Sequence, residues 1–246
     1  MVWTLAISDF KLRDQGTVAG FLWTLMHPLI YFLVLYGLFV KWMGPSIPNF
    51  PLYLIIGFVQ WSFFAGATSA AIFVLMRYST YIKSINFPKS VLVMSSVLSS
   101  LYIHILELVV LLIFWLIVKG SIGIKVILLL PILMLNIYLV VSLSFILATI
   151  GVYFLDLSRI WGILMSIGLF ITPIFYSMDM LSPGKQKVIM LNPMTHIIKA
   201  SRQVLIDNSF PDLPGLLYVL ILATLILIVG YRLFKKMEGF FVEKIC

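Results

Sequence analysis

Six stretches of this chain, at about 21 to 42, 51 to 76, 91 to 118, 126 to 153, 160 to 178 and 215 to 234, run apolar with few interruptions. A hydrocarbon core of about 30 Å takes about 20 helical residues to cross, so each run is close to membrane length. Inside that core every backbone N–H and C=O must find a partner, which only helices and closed barrels provide. Long runs of Leu, Ile, Val and Phe are not the short alternating segments of an outer-membrane barrel. Composition agrees, since 62% of the 246 residues are apolar and 11% charged, more apolar surface than a soluble fold has interior to hide. The reading is an all-α membrane protein with six transmembrane helices in a single transmembrane domain, 1–246.

About 20 mostly amphipathic residues precede the first run and no small-residue cleavage site follows it, so that run is expected to stay in the mature chain. The lone cysteine, Cys246, supplies neither an internal disulfide nor metal-ligand spacing. Counting Lys and Arg on alternate sides gives ten with the N-terminus, the 77–90 and 154–159 loops and the tail: Lys11, Arg13, Arg77, Lys83, Lys89, Arg159, Arg232, Lys235, Lys236 and Lys244. The other side has seven: Lys41, Lys119, Lys125, Lys185, Lys187, Lys199 and Arg202. The positive-inside rule then puts both termini in the cytoplasm. The net charge of +8 suits a rim facing anionic lipid heads. Because the basic residues are scattered over separate loops, nucleic acid is not expected as a partner.

Four segments do not span. Residues 3–15 place Trp3, Ala6, Ile7 and Phe10 on one helical face, the pattern of an interfacial amphipathic helix. It serves either as an anchor or as a docking element. The segment from Arg77 to Lys89 carries no acid. A topology signal needs only charge, yet Tyr81, Ile85 and Phe87 put apolar groups beside Lys83 and Lys89, which suits a groove on a soluble protein. The outer segment 179–214 opens a helix at Asn192-Pro193, a cap followed by a residue whose missing donor costs nothing there. Met194, Ile197, Ile198, Ser201, Val204 and Leu205 share one face of it; His196, Lys199 and Arg202 share another. The reading is an interfacial helix, either a lid or a collar around an exit. The tail from Arg232 reads as a charged stop.

Polar groups inside the membrane are costly and need reasons. Ser96, Ser100, His104 and Glu107 lie on one face of the third run, either as an ion relay or as packing in which Glu107 is held by His104 or a neighbouring helix. Aromatics recur with helical spacing in the first run (Phe21, Phe32, Phe39) and in the fifth (Trp161, Phe175, Tyr176). If the two stripes face each other, their rings offer sugars an apolar, orientable contact. The phosphate-cradling Gly-x₄-Gly-Lys-Ser/Thr pattern is absent, so ATP must be bound by another chain. No catalytic or metal constellation stands out.

Three motifs in order resemble one family. Thr17 to Leu29, with Gly20, Trp23 and Pro28-Leu29, is similar to the first-span entry of ATP-binding-cassette type-2 exporter permeases. Phe87-Pro88-Lys89 resembles that family's aromatic-Pro-basic step before the third span. Thr172-Pro173-Ile174-Phe175-Tyr176, Asn192-Pro193 and Arg202 resemble its fifth-span end and outer helices. The closest branch is the one that exports O-antigen or teichoic-acid polymers on lipid carriers. The resemblance implies a homodimer in the bacterial cytoplasmic (inner) membrane, with two copies of a separate ATPase subunit that binds ATP and Mg. It implies that Trp3, Ile7 and Phe10 and the 77–90 coupling helix, with Tyr81, Lys83, Ile85, Phe87, Pro88 and Lys89, meet that ATPase. It also implies a channel between the first and fifth spans of two copies, with Phe32, Phe39, Trp161, Phe175 and Tyr176 beside a lipid-linked polysaccharide. The chain has Leu155-Asp156 where the family often has Arg-Asp, so Arg159 is left to supply that charge. The alternatives are a type-2 permease for a drug or small lipid, and an ion-coupled carrier that depends on Glu107.

Overall fold

The computed structural model describes residues 26, 30, 33–41, 43–84, 87–119 and 124–244. The helix expected at 3–15 with Trp3, Ile7 and Phe10, as well as Phe32 and Ile85, lies outside the described residues. Helical residues 33–41 come first. Then follow α1 (Phe50–Ile72), α2 (Val74–Arg77), α3 (Ser79–Ser84), α4 (Ser90–Lys119), α5 (Leu129–Tyr153), α6 (Leu157–Ile171), α7 (Pro183–Ile189), α8 (Pro193–Leu205), α9 (Leu213–Met237) and α10 (Phe241–Lys244). No strand occurs among the described residues. Among the described residues, four helical stretches are long and apolar enough to cross a bilayer: Phe50–Ile72, Ser90–Val118, Ile124–Tyr153 and Leu213–Phe240.

The fifth apolar run behaves differently. Its helix, α6, stops after 15 residues at Ile171 instead of reaching 178, and at 1.5 Å per residue it covers only about 22 Å of the bilayer. Pro173 is the cause. The residue before a proline is pushed out of the helical region, and Thr172 is extended at φ −70 and ψ 137. Pro173 also has no N–H with which to continue the ladder.

The least apolar span occupies the middle of the bundle. α1 has a mean hydropathy of 1.5 and 72% of its window is buried, against 2.5–2.6 and 22–33% for the other three spans. Lipid tails are as apolar as leucine, so the strongly apolar helices lose nothing at the rim. A helix that carries Gln60, Ser62 and Thr68 must instead find protein partners for them. α1 accordingly packs along α4 and α5, and α9 packs along α5. Glycines set the closest approaches: a Cβ on Gly230 of α9 would lie 2.7 Å from Ile146 Cγ1, and one on Gly151 of α5 would run into the carbonyl oxygen of Ile72. Several helix hydroxyls bond back to their own ladders, as Ser144 does to the Val140 carbonyl at 2.7 Å and Thr149 to that of Phe145 at 2.7 Å. Helix faces that contain Ser and Thr are thereby made fit for a dry interior.

Two ends of the bundle result. One gathers α2, α3, the 154–156 turn and the tail; the other gathers 43–49, α7, α8 and the 206–212 connection.

Candidate functional site

The break after α6 creates a chemical problem, because carbonyls that leave a helix inside a packed interior need donors. Arg202 on α8 supplies them. Its Nη1 donates to the Pro173 carbonyl at 2.6 Å and its Nη2 to that of Ile174 at 3.1 Å. Nε and Nη2 also reach the Tyr53 carbonyl at 3.1 and 3.0 Å. The guanidinium lies over the Tyr53 ring, 3.3 Å from its centroid. Burial holds its pKa down to about 10, with Tyr53 pulling the other way, so it is a cation at neutral pH. Gly57 makes the room, since a Cβ there would come within 2.7 Å of Nη2. Arg202 thus joins α1, α8 and the broken strand between α6 and α7.

Neighbouring contacts hold the same break. The Tyr53 hydroxyl donates to the Tyr176 carbonyl at 2.9 Å, and Asn192 Nδ2 donates to Thr172 Oγ1 at 2.8 Å. Asn192 also caps α8, its Oδ1 accepting from Met194 N at 3.0 Å. The face of α8 that carries His196, Lys199 and Arg202 is largely inside: Arg202 and His196 are buried along with Met194, Ile197, Ile198, Ser201, Val204 and Leu205, and Lys199 alone of the polar three is half-exposed. The reason is local, because the orphaned carbonyls draw the guanidinium inward.

The aromatic stripes do meet, and they meet within one chain. Phe39 stacks on Phe175 with centroids 5.0 Å apart and planes at 20°, and Phe170 stands 5.5 Å from Phe175 on another side. Phe175 is 3% exposed, a core residue of the protomer. Tyr176 is half-buried, its hydroxyl bonded to the Ile171 carbonyl. Trp161 is half-buried and donates to Thr68 Oγ1 at 3.0 Å. Beyond these contacts α6 is thinly covered: only Leu169 of its residues is buried, while Ile163, Ile167 and Phe170 are more than half exposed at 61%, 51% and 58%.

At mid-bundle, Ser62 donates to Glu107 Oε2 at 2.8 Å, His104 Nδ1 stands 3.6 Å from the same oxygen, and the His104 ring stacks on Phe63 at 4.3 Å. A second link runs from Asn136 Nδ2 to Gln60 Oε1 at 2.8 Å and from Gln60 Nε2 to Ser201 Oγ at 3.0 Å. It ties α5, α1 and α8 together.

At the opposite end, Tyr81 is 54% exposed, Lys83 and Pro88 are exposed, and Phe87 is half-buried against a small apolar core. Lys89, half-exposed, bonds Glu238 of the tail twice: its backbone N–H donates to Glu238 Oε1 at 2.8 Å and its Nζ to the Glu238 carbonyl at 3.1 Å.

The structure thus combines a broken helix closed by α8, an exposed basic segment at the opposite end of the bundle and a central polar span. Residues 1–206 match the membrane family described as ABC-2 type transporter. The chain belongs to that family. Among this permease's relatives is an O-antigen export system permease protein RfbA of Myxococcus xanthus, 26% identical over 244 residues, which is 98% of this chain and 94% of the relative. A protein of the same name from Klebsiella pneumoniae is 28% identical over 96% of this chain and 91% of its own length. The polysialic acid transport protein KpsM of Escherichia coli is 20% identical over 95% and 92%.

Two parts of the permease escape a reading by pattern. Tyr53 has no spacing that couples it to Arg202, 149 positions away. The tail reads as a run of charge, and the one hint that it is more is its pair of phenylalanines, Phe240 and Phe241.

Proposed function

We propose that the chain is the membrane subunit of an ATP-driven exporter that carries a lipid-linked polysaccharide, of O-antigen or teichoic-acid type, across the bacterial cytoplasmic membrane. The observation that carries this reading is the end-to-end likeness to three polysaccharide-export permeases, each aligned over at least 95% of this chain. Two copies form the channel, and two copies of a soluble ATPase bind ATP and Mg on the cytoplasmic side, where both termini lie. What supports the dimer is the one-sided packing of α6, whose exposed Ile163, Ile167 and Phe170 form a wall next to the Phe39–Phe175 stack. An apolar face beside aromatics lets a polymer slide, since stacking on sugar C–H faces is weak and orientable.

In this reading ATP-driven closure of the partner presses on α3 and the residues up to Lys89, and the press tilts α4 and α1. Only a contact that differs between states can shift their populations, and an exposed Tyr81 and Lys83 offer one. The test is transport itself. The permease, reconstituted with its ATPase in liposomes, is expected to move lipid-linked polysaccharide in an ATP-dependent way. Transfer of a drug or short lipid without polysaccharide, or transfer that needs an ion gradient and no ATPase, would overturn the proposal.

A further inference from the structure

The tail and the segment ahead of α4 are 149 positions apart, yet they close one unit. Glu238 makes three connections: its Oε1 accepts from the Lys89 backbone N–H at 2.8 Å, its carbonyl accepts from Lys89 Nζ at 3.1 Å, and its Oε2 accepts from Lys235 Nζ at 2.7 Å. Lys89 directly precedes α4, so its N–H is among the donors that a helix start leaves without a ladder partner. A glutamate that reaches back to such a group is half of a capping box. Here the glutamate comes from another helix, and its charge also suits the positive end of the α4 dipole.

Behind this bond lies an apolar seat. Phe241 is fully buried, its ring 5.3 Å from Phe234 and 6.4 Å from Tyr153, in a core that also holds Val74, Tyr78 and Ile82. A tail that served only as a positive stop would leave its charges to water and bury no aromatic ring. This one buries Phe241 and uses Glu238 inside the protein.

We infer that the tail is a clamp: Glu238 and Phe241 are positioning residues that fix α2, α3 and Lys89 and join them to α9. The inference rests on the reading of the segment ahead of α4 as the coupling element. A push on the segment then reaches three helices, α1 and α4 through the chain and α9 through the clamp.

The test compares Glu238→Ala and Phe241→Ala with the conservative Glu238→Gln and Phe241→Leu, in the full chain assembled with its ATPase. Two quantities are read: the rate of trypsin cleavage at Arg77 and Lys83 in membranes opened on that face, and polysaccharide exported per ATP hydrolysed. Glu238→Ala is expected to be cleaved about tenfold faster and to export about tenfold less per ATP, the weight of one charge-assisted hydrogen bond, and Phe241→Ala, which empties a fully buried seat, to change both by at least as much. The conservative variants are expected to recover most of both, because Gln still accepts from the Lys89 N–H and Leu still fills the seat. Unchanged cleavage in both alanine variants would overturn the clamp. Faster cleavage with an unchanged export ratio would uphold the clamp and overturn the coupling role of the segment it holds.

Discussion

Arg202 reads the backbone of Tyr53 and the face of its ring at once: the Tyr53 carbonyl accepts from Nε and Nη2 at 3.1 and 3.0 Å, while the guanidinium sits 3.3 Å over the ring centroid. The same cation closes the carbonyls of Pro173 and Ile174, so one side chain satisfies the break that Pro173 makes at the end of α6.

Arg202→Met is therefore expected to leave at least two buried carbonyls without donors, at about 1–3 kcal/mol each. Arg202→Lys should restore only part of that, because an ammonium cannot present a planar fork to three carbonyls. Thermal unfolding in detergent checks the order wild type, Lys, Met; a Lys variant as stable as wild type would count against the fork.

Gly57→Ala places a methyl within 2.7 Å of Arg202 Nη2 and 3.3 Å of Ile174 Cγ2. Overpacking of that kind costs about 1–3 kcal/mol. In the Arg202→Met background the penalty should shrink, since the shorter flexible side chain can move aside. Additive losses in that double-mutant cycle would show that Gly57 and Arg202 act independently.

Glu107→Gln separates packing from relay. A glutamine keeps an oxygen for the Ser62 hydroxyl, now 2.8 Å from Glu107 Oε2, but carries no titratable proton. Stability and ATP-driven export near wild type are expected for Gln, with Glu107→Leu less stable by only about 0.5–1.5 kcal/mol, because Ser62 keeps the Val59 carbonyl at 3.0 Å as an acceptor. Loss of export in the Gln variant would revive the relay.

Asp212 caps the start of α9 and accepts from Lys199 Nζ at 3.0 Å. That hydrogen bond is the main cause holding its carboxyl below the usual range, against an opposing pull from burial. A depressed acid stabilises the fold above its ordinary pKa of about 4 and loses that contribution as pH falls through the lowered value. The stability gap between wild type and Asp212→Asn is thus expected to be flat around neutrality and to close below about pH 4. A gap that does not narrow at all as pH falls below about 4 would place the stabilisation elsewhere.

Phe175→Ala bears on the channel. At 3% exposure, stacked on Phe39 and tilted against Phe170, the ring is expected to act first through packing, with a loss of about 3–5 kcal/mol. Phe39→Ala should cost less in the wild type and almost nothing once Phe175 is gone. A stable Phe175→Ala protein with impaired export would instead assign the ring to direct polymer contact.

How much of this was legible in the residues varies by site. The cap at Asn192 and the stop before Pro173 follow from chemistry within a few positions, so the ends of α6 and α8 could be read directly. The inward turn of Arg202 could not, because periodicity puts it on the polar face of α8 with Lys199 and says nothing of the carbonyls released 28 and 29 positions earlier. The stripe of Phe39 and the stripe of Phe175 were each visible. That they stack on each other inside one chain depends on how two helices lie side by side.

The order of apolar runs alone determined a helical membrane protein, since satisfying a backbone in hydrocarbon is a local requirement that each run meets or fails by itself. Tertiary structure decided which polar groups meet: Arg202 with Tyr53, Glu107 with Ser62, Glu238 with Lys89. Those pairings depend on each helix's depth and rotation, which are set by close packing among all of them. The polar partners lie far apart along the chain, and no spacing within one helix encodes where its neighbour will stop.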